Sequence, residues 1–352
     1  MRKHSKLLAV VGALALLGAA CGGAGPCDPG EAAAEDGVGV GVAFDIGGLG
    51  DQSFNDAAKR GLDAAIDEGL VAEADCIEPN ATGSNRDDNV VNMSDAGYDL
   101  VMAIGFAFSE GVAEIAADYP EQNFGVIDGF ATTIATDAPN IVDLTFREQE
   151  GSYLVGIAAA MATQSGTIGF LGGQEGTGLI EKFQAGYEAG ARSVDPDVEI
   201  LVEYIGDDTA AFNDPTRGEA LSADMYDSGA DVVYHAAGAS GAGLFQAVVA
   251  AGPEALAIGV DSDQYLTASE EQKPHILTSM LKRVDTATHD TIQASQAGTF
   301  EPGFRVFGIA EEGIDYSKSN PEALTEEMQA AMDEAKQAII DGEIVPPEEP
   351  EG

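Results

Sequence analysis

Residues 38–55 read VGVGVAFDIGGLGDQSFN, and the order of residue types in this stretch decides the fold class. Val38–Phe44 is a short uncharged run, fit for a strand buried on both faces. Gly47-Gly48-Leu49-Gly50 ends it as a turn. From there apolar residues recur at four-residue steps, Phe54, Ala58, Leu62, Ile66 and Leu70, which is the spacing of one helix face. Ser53 with Asp56 three residues later forms a capping-box pattern for that helix. Strand, glycine turn and amphipathic helix together make one βα unit.

The same alternation continues outward. Further strands are expected at Leu100–Ile104, Phe124–Ile127, Ile141–Phe146, Thr167–Leu171 and Ile200–Ile205. Asp231–His235, Leu256–Val260, His275–Leu281 and Phe304–Ile309 follow. Helical stretches separate most of them, among them Ile180–Arg192, Arg217–Asp227 and Ala242–Ala251. Such alternation predicts an α/β protein with parallel sheets covered by helices on both faces. A fresh βα series begins near Thr167, and the strands are too many for one small sheet. Two doubly wound domains in tandem are therefore expected. A last helix, Glu322–Asp341, gives way to Pro346-Pro347-Glu348-Glu349-Pro350, expected to be a solvated acidic tail (346–352).

The N-terminus reads as an export signal. Arg2, Lys3 and Lys6 form a basic region, Leu7–Leu17 a short apolar one, and Gly18-Ala19-Ala20 the small residues before Cys21. The apolar run is shorter than the ~20 residues that a spanning helix needs. The segment resembles the lipobox of bacterial lipoproteins, whose cysteine is acylated and becomes the new N-terminus; it departs in having Gly18 where Leu is usual. The resemblance implies a signal peptide over 1–20, lipidation at Cys21 and a protein held at the extracytoplasmic face of the cell membrane. Residues 21–37, rich in Gly, Ala, Pro and acid, are expected to form a flexible tether.

The chain has 352 residues, with 16 Lys and Arg against 61 Asp and Glu, a formal charge of −45. Phosphate backbones would repel such a chain, so nucleic acid is excluded as a partner. The acids are scattered over the whole length, which indicates a solvated acidic surface rather than a site. Beyond Cys21 the cysteines are Cys27 and Cys76: a disulfide tying the N-terminal arm to the second strand region, or two free thiols. The four histidines lie far apart and no Cys/His cluster has metal-ligand spacing, so neither metal nor cofactor is expected. His235 reads as a satisfied buried histidine. Gly172-Gly173-Gln174-Glu175-Gly176-Thr177-Gly178 lacks the Gly-Lys-Ser/Thr ending of a phosphate loop.

In open parallel sheets the ligand binds beyond the carboxyl ends of the strands. The residues just after each strand are therefore the candidates: Asp45 with the loop to Asn55, Gly105-Phe106, Asp128-Gly129, Gly172-Gly173, Gly206–Asp214, Gly238 and Asp261–Asp263. Glycines let a ligand approach the backbone, and carboxylates accept hydrogen bonds from hydroxyl or amine groups. By pattern alone Phe54 reads as core packing, and Asp45 and Asp261 also fit as turn or cap residues.

Several of these segments resemble one family. DIGGLGDQSFN (residues 45–55) is similar to the opening signature of the basic membrane protein family, the substrate-binding lipoproteins of nucleoside ABC transporters. The likeness continues, in order, through FREQEGSYLVG (146–156), GFLGG (169–173), FQAGYEAG (183–190), GADVVYHAAG (229–238), IGVDSDQ (258–264) and ILTSMLKRVDT (276–286). It implies a type I periplasmic-binding protein fold, two Rossmann-like lobes joined by hinge strands that close on a ligand. Crossings are expected near Phe146–Gly151 and Asp261–Lys282. Lobe 1 would comprise 38–146 with about 283–310, lobe 2 147–282, and 311–345 a C-terminal helical segment assigned to neither.

The resemblance also implies roles. Phe54, within Ser53-Phe54-Asn55, matches the aromatic that stacks on one face of a base. Phe212 would take the other face, in a loop longer than the family's usual Gly-Ser-Phe-x-Asp. Asp45, Asp51 and Asp128 match positions facing the base or sugar; the family often has Asn at the place of Asp51. Gly105 and Phe106, candidates from their place just after a strand, are expected to bind ligand as well. Asp261 matches the acid that accepts from ribose hydroxyls, Lys282 the lysine beside the sugar, and Gly238 the glycine whose backbone nears it. The implied function is capture of a nucleoside, purine in the first place, and its delivery as a monomer to ABC permease subunits without catalysis. A ligand sensor or a sugar receptor of the same fold are the alternatives.

Overall fold

The computed structural model describes residues 25–350; Cys21 and the export signal lie outside them. Among the described residues twelve strands form two six-stranded sheets. The first is built from β1 (Val38–Ala43), β2 (Val71–Ile77), β3 (Leu100–Ile104), β4 (Asn123–Ile127), β5 (Ile141–Phe146) and β11 (Gly303–Phe307). Its order is β11-β5-β4-β3-β1-β2, every pair parallel. The second is built from β6 (Thr167–Gln174), β7 (Glu199–Gly206), β8 (Val232–Ala236), β9 (Leu256–Asp261), β10 (Ile276–Lys282) and β12 (Ile314–Tyr316), in the order β12-β10-β9-β8-β6-β7. Here β12 alone pairs antiparallel, with β10. In both sheets the first strand lies between the second and third, so each has a switch point where helices on opposite faces diverge and leave a crevice.

The helices follow in chain order. In the first half they are α1 (Phe54–Asp67), α2 (Arg86–Ala96), α3 (Ser109–Ile115), α4 (Ala131–Ile134) and α5 (Glu148–Ala162). In the second half they are α6 (Ile180–Val194), α7 (Pro215–Asp227), α8 (Ala242–Ala251), α9 (Gln264–Thr267), α10 (Val284–Gln296) and α11 (Glu326–Ile340). Ala58, Leu62 and Ile66 point α1 into the core, while Phe54, its first residue, is only partly buried and Leu70 lies past its end. The capping box expected at α1 is not formed. Asp51 instead accepts from the amides of Ser53, Asn55 and Asp56, and Asp56 accepts from those of Gly50 and Gln52. An acid at the mouth of a helix also suits its dipole.

The chain passes between the sheets three times, one crossing more than expected: from β5 into α5, from β10 into α10, and from β11 to β12. The crossings are knitted together. The Arg147 amide donates to Phe307 O at 3.0 Å, the Arg283 amide to Gly313 O at 2.8 Å, and the Ile309 amide to the Glu150 carboxylate at 2.7 Å. Phe146 and Phe307 stack with centroids 5.4 Å apart.

Two terminal expectations are corrected. Residues 25–37 are not a free tether: Cys27 is buried and disulfide-bonded to Cys76, and the Ala34 amide donates to Val71 O. At the other end Pro346 is buried, and the Gln149 amide group donates to Glu348 at 3.4 Å, so this part of the acidic tail folds back on the start of α5.

Candidate ligand-binding site

The carboxyl ends of both sheets face each other across one cavity with about 600 Å³ of non-atom space, part of it open to solvent. Eleven of the expected residues line it: Asp45, Asp51, Phe54, Asn55, Gly105 and Phe106, with Asp128, Phe212, Gly238, Asp261 and Lys282. Ser53 does not line it; it is fully buried beside it. Sequence reasoning missed the apolar wall made by Leu179, Ile180 and Phe183 at the start of α6, with Ala236 and Val260; Ile46, which also lines it, belongs to the loop already singled out after Asp45.

At the ends of β4 and β9 the backbone turns sharply, with Asp128 at φ 58° and Asp261 at φ 63°. These are left-handed conformations, uncommon for residues other than glycine and concentrated at functional sites. Both residues line the cavity. Gly173 lets the Phe212 ring lie against β6, where any Cβ would overlap it. Phe212 meets Phe106 edge to face, centroids 6.4 Å apart.

Lys282 is the electrostatic centre. Its buried ammonium donates to Asp128 Oδ2 at 2.7 Å and lies 3.0 Å from Glu148 Oε1. It sits 5.3 Å from the Phe54 ring centroid, 5.0 Å from that of Phe146 and 5.5 Å from that of Phe183, so aromatic faces complete its surroundings. Burial alone would lower its pKa, but Asp128, Glu148 and Asp261 together hold it well above the usual lysine range. Glu148, fully buried in the first turn of α5, is pushed up by burial despite Lys282.

The acids divide by what already holds them. Asp45 Oδ1 accepts from Arg86 Nε and from the Ile46 amide, both at 2.6 Å; burial still raises its pKa. Both Asp51 oxygens are taken by the loop amides and by Asn55 Nδ2, which makes Asp51 a shaper of the loop. Asp128 Oδ1 has no hydrogen-bond partner among the described residues. Asp261 accepts from Ser53 Oγ at 2.5 Å through Oδ2. Burial pushes its pKa up to about 6, although Lys282 and the Ser53 hydroxyl pull down; Asp51 and Asp128 add to the rise.

His235, in β8 beside β9, is only half satisfied, which corrects the expectation. Its Nε2 donates to Gln264 Oε1, which also accepts from the Val260 amide, while Nδ1 has no partner among the described residues. Burial lowers its pKa to about 4, so the ring is neutral and braces the strand end that carries Asp261. Among the described residues no group of three or more His, Cys, Asp or Glu side chains is placed to hold a metal ion.

Residues 39–349 match the Bmp family, described as ABC transporter substrate-binding protein PnrA-like. The chain belongs to this family. The CD4+ T-cell-stimulating antigen of Listeria monocytogenes is 33% identical over 331 residues, 88% of each chain. The ABC transporter nucleoside-binding protein BmpA of Lactococcus lactis is 32% identical over 320 residues, 87% of this chain and 88% of that one. The crystal structure of an ABC transporter solute-binding protein from Aeropyrum pernix K1 superposes with a TM-score of 0.76 at 30% identity, covering 88% of this chain and 94% of that one. The two-lobed type I fold of this Bmp protein is therefore that of a substrate-binding protein, a class that works outside the cytoplasm. No helix among its described residues is long and apolar enough to cross a membrane.

Proposed function

We propose that this Bmp protein captures a nucleoside, purine in the first place, between its lobes and hands it to an ABC permease. It works as a monomer tethered by lipid on Cys21. The observation that carries the reading is the composition of the cavity wall: the rings of Phe54, Phe106, Phe183 and Phe212 beside the carboxylates of Asp45, Asp128 and Asp261. Flat apolar faces suit a base, and carboxylates suit the hydroxyls of a ribose. The nucleoside-binding relative in Lactococcus supports the same ligand class. An anionic ligand such as a nucleotide would meet four carboxylates and one lysine that Asp128 and Glu148 already engage.

The closing bodies are residues 38–146 with 283–310, and 147–282 joined by 311–345, since β12 pairs with β10. Phe54 and Phe212 hold the base, Asp261 the ribose hydroxyls, and the permease recognises the closed state. Isothermal titration of the mature domain with adenosine, guanosine, inosine, cytidine, uridine and ribose tests this. One-to-one binding of a nucleoside, abolished by Asp261→Ala and weakened by Phe54→Ala, is the expected result. Binding of ribose alone would move the protein to the sugar receptors, and no binding by any of the six would overturn the reading.

A further inference from the structure

We propose that Arg60 and Ser262, neither of which lines the cavity, form with Ser53 and Asp261 a latch that holds the two lobes together. Arg60 and Ser53 belong to α1 and its approach, on the first sheet; Asp261 ends β9, on the second, and Ser262 follows it. Arg60 Nη2 donates to Ser262 Oγ at 2.8 Å, and Ser262 Oγ donates to Ser53 O, also at 2.8 Å. Ser53 Oγ lies 2.5 Å from Asp261 Oδ2 and 3.4 Å from Val260 O. Every one of these contacts joins the lobes directly, so the latch exists only when they are closed.

The chain of donors runs one way, from a guanidinium through a hydroxyl to a carbonyl, and each bond polarises the next. Ser53 and Ser262 are buried, so the hydroxyls have little water to return to while the lobes stay shut. Asp261 is the junction: one oxygen is bound by the latch, and the residue also lines the cavity. Ligand bound at Asp261 and the latch therefore favour the same closed state. Arg60 and Ser262 act on affinity through that equilibrium rather than by touching ligand.

The inference rests on lobe closure and not on which ligand is bound, and the test keeps the two apart. Small-angle scattering of the ligand-free protein, compared with Arg60→Ala, Ser262→Ala and Ser262→Thr, reads closure without any nucleoside. The two alanine variants are expected to show a larger radius of gyration, while the threonine variant, which keeps the hydroxyl, matches the wild type. Titration with the nucleoside that the wild type binds best should then show affinity reduced roughly tenfold in both alanine variants. The order of preference among nucleosides should stay unchanged. Unchanged scattering in both alanine variants would overturn the latch, as would an equal radius increase in Ser262→Thr.

Discussion

Asp261 carries the clearest prediction at the scale of one residue. Its folded pKa of about 6 lies above the ~3.9 of an exposed aspartate. Between those values the folded protein holds a proton that the unfolded chain releases. Stability from this group is therefore greatest at low pH, falls as pH rises through that window by roughly 3 kcal/mol, and is flat above it. Asp261→Asn lacks the step. Measured against wild type, its Tm should compare more favourably at pH 7 than at pH 4, and a gap constant across that range would refute the assignment. Nucleoside affinity should run the other way, weakening below about pH 6, because ribose hydroxyls donate best to the ionised carboxylate. Lys282 supplies a second prediction. Lys282→Met removes the cation between Asp128 and Glu148 and leaves two buried carboxylates facing each other. The expected loss is about 3–5 kcal/mol in urea unfolding at pH 7, shrinking at low pH as the acids protonate; a loss under about 1 kcal/mol would show that water reaches the cluster.

Between elements, α5 and α6 pack with their backbones in close approach. A Cβ on Gly186 would overlap the Gln149 backbone, one on Gly190 the Tyr153 carbonyl, and one on Gly156 the Tyr187 carbonyl. Alanine favours a helix over glycine by about 1 kcal/mol, but the obstacle here is backbone that cannot turn aside. Gly190→Ala should therefore lower stability by about 1–3 kcal/mol, and a raised Tm would mean that the helices sit further apart. The same scale shows what was legible in the sequence. Strands buried on both faces, such as Leu100–Ile104, are uncharged runs and stand out; β2 has no readable bounds because Glu73 and Asp75 interrupt it on an exposed face. The last helix begins at Glu326, later than expected, because Thr325 caps it by accepting from the Met328 amide. Residues just past strand ends were legible as site candidates because the topology sends them there. Leu179, Ile180 and Phe183 were not, since an apolar helix face looks the same whether it covers a core or a cavity.

At the scale of the whole molecule, charge sets the terms on which two lobes meet. Removing residues 1–20, which carry Arg2, Lys3 and Lys6 and no acid, takes the formal charge from −45 to −48. The 61 acids outnumber the 16 Lys and Arg by 45, by subtraction. Self-repulsion on this scale destabilises any compact state, and salt screens it over a Debye length of ~10 Å at 0.1 M. Closure adds its own share, since Asp45, Asp51 and Asp128 on one lobe then face Asp261 on the other. A nucleoside is neutral at pH 7, so its direct contacts respond little to screening; whatever salt does to its affinity reports on closure. Raising NaCl from about 0.05 to 0.5 M, which shortens the screening length severalfold, should tighten nucleoside binding and reduce the ligand-free radius of gyration together. Both changes should level off once screening is complete, whereas a solvent-structure effect would keep growing with concentration. Affinity that is flat, or that falls, across this range would show that lobe repulsion does not govern closure.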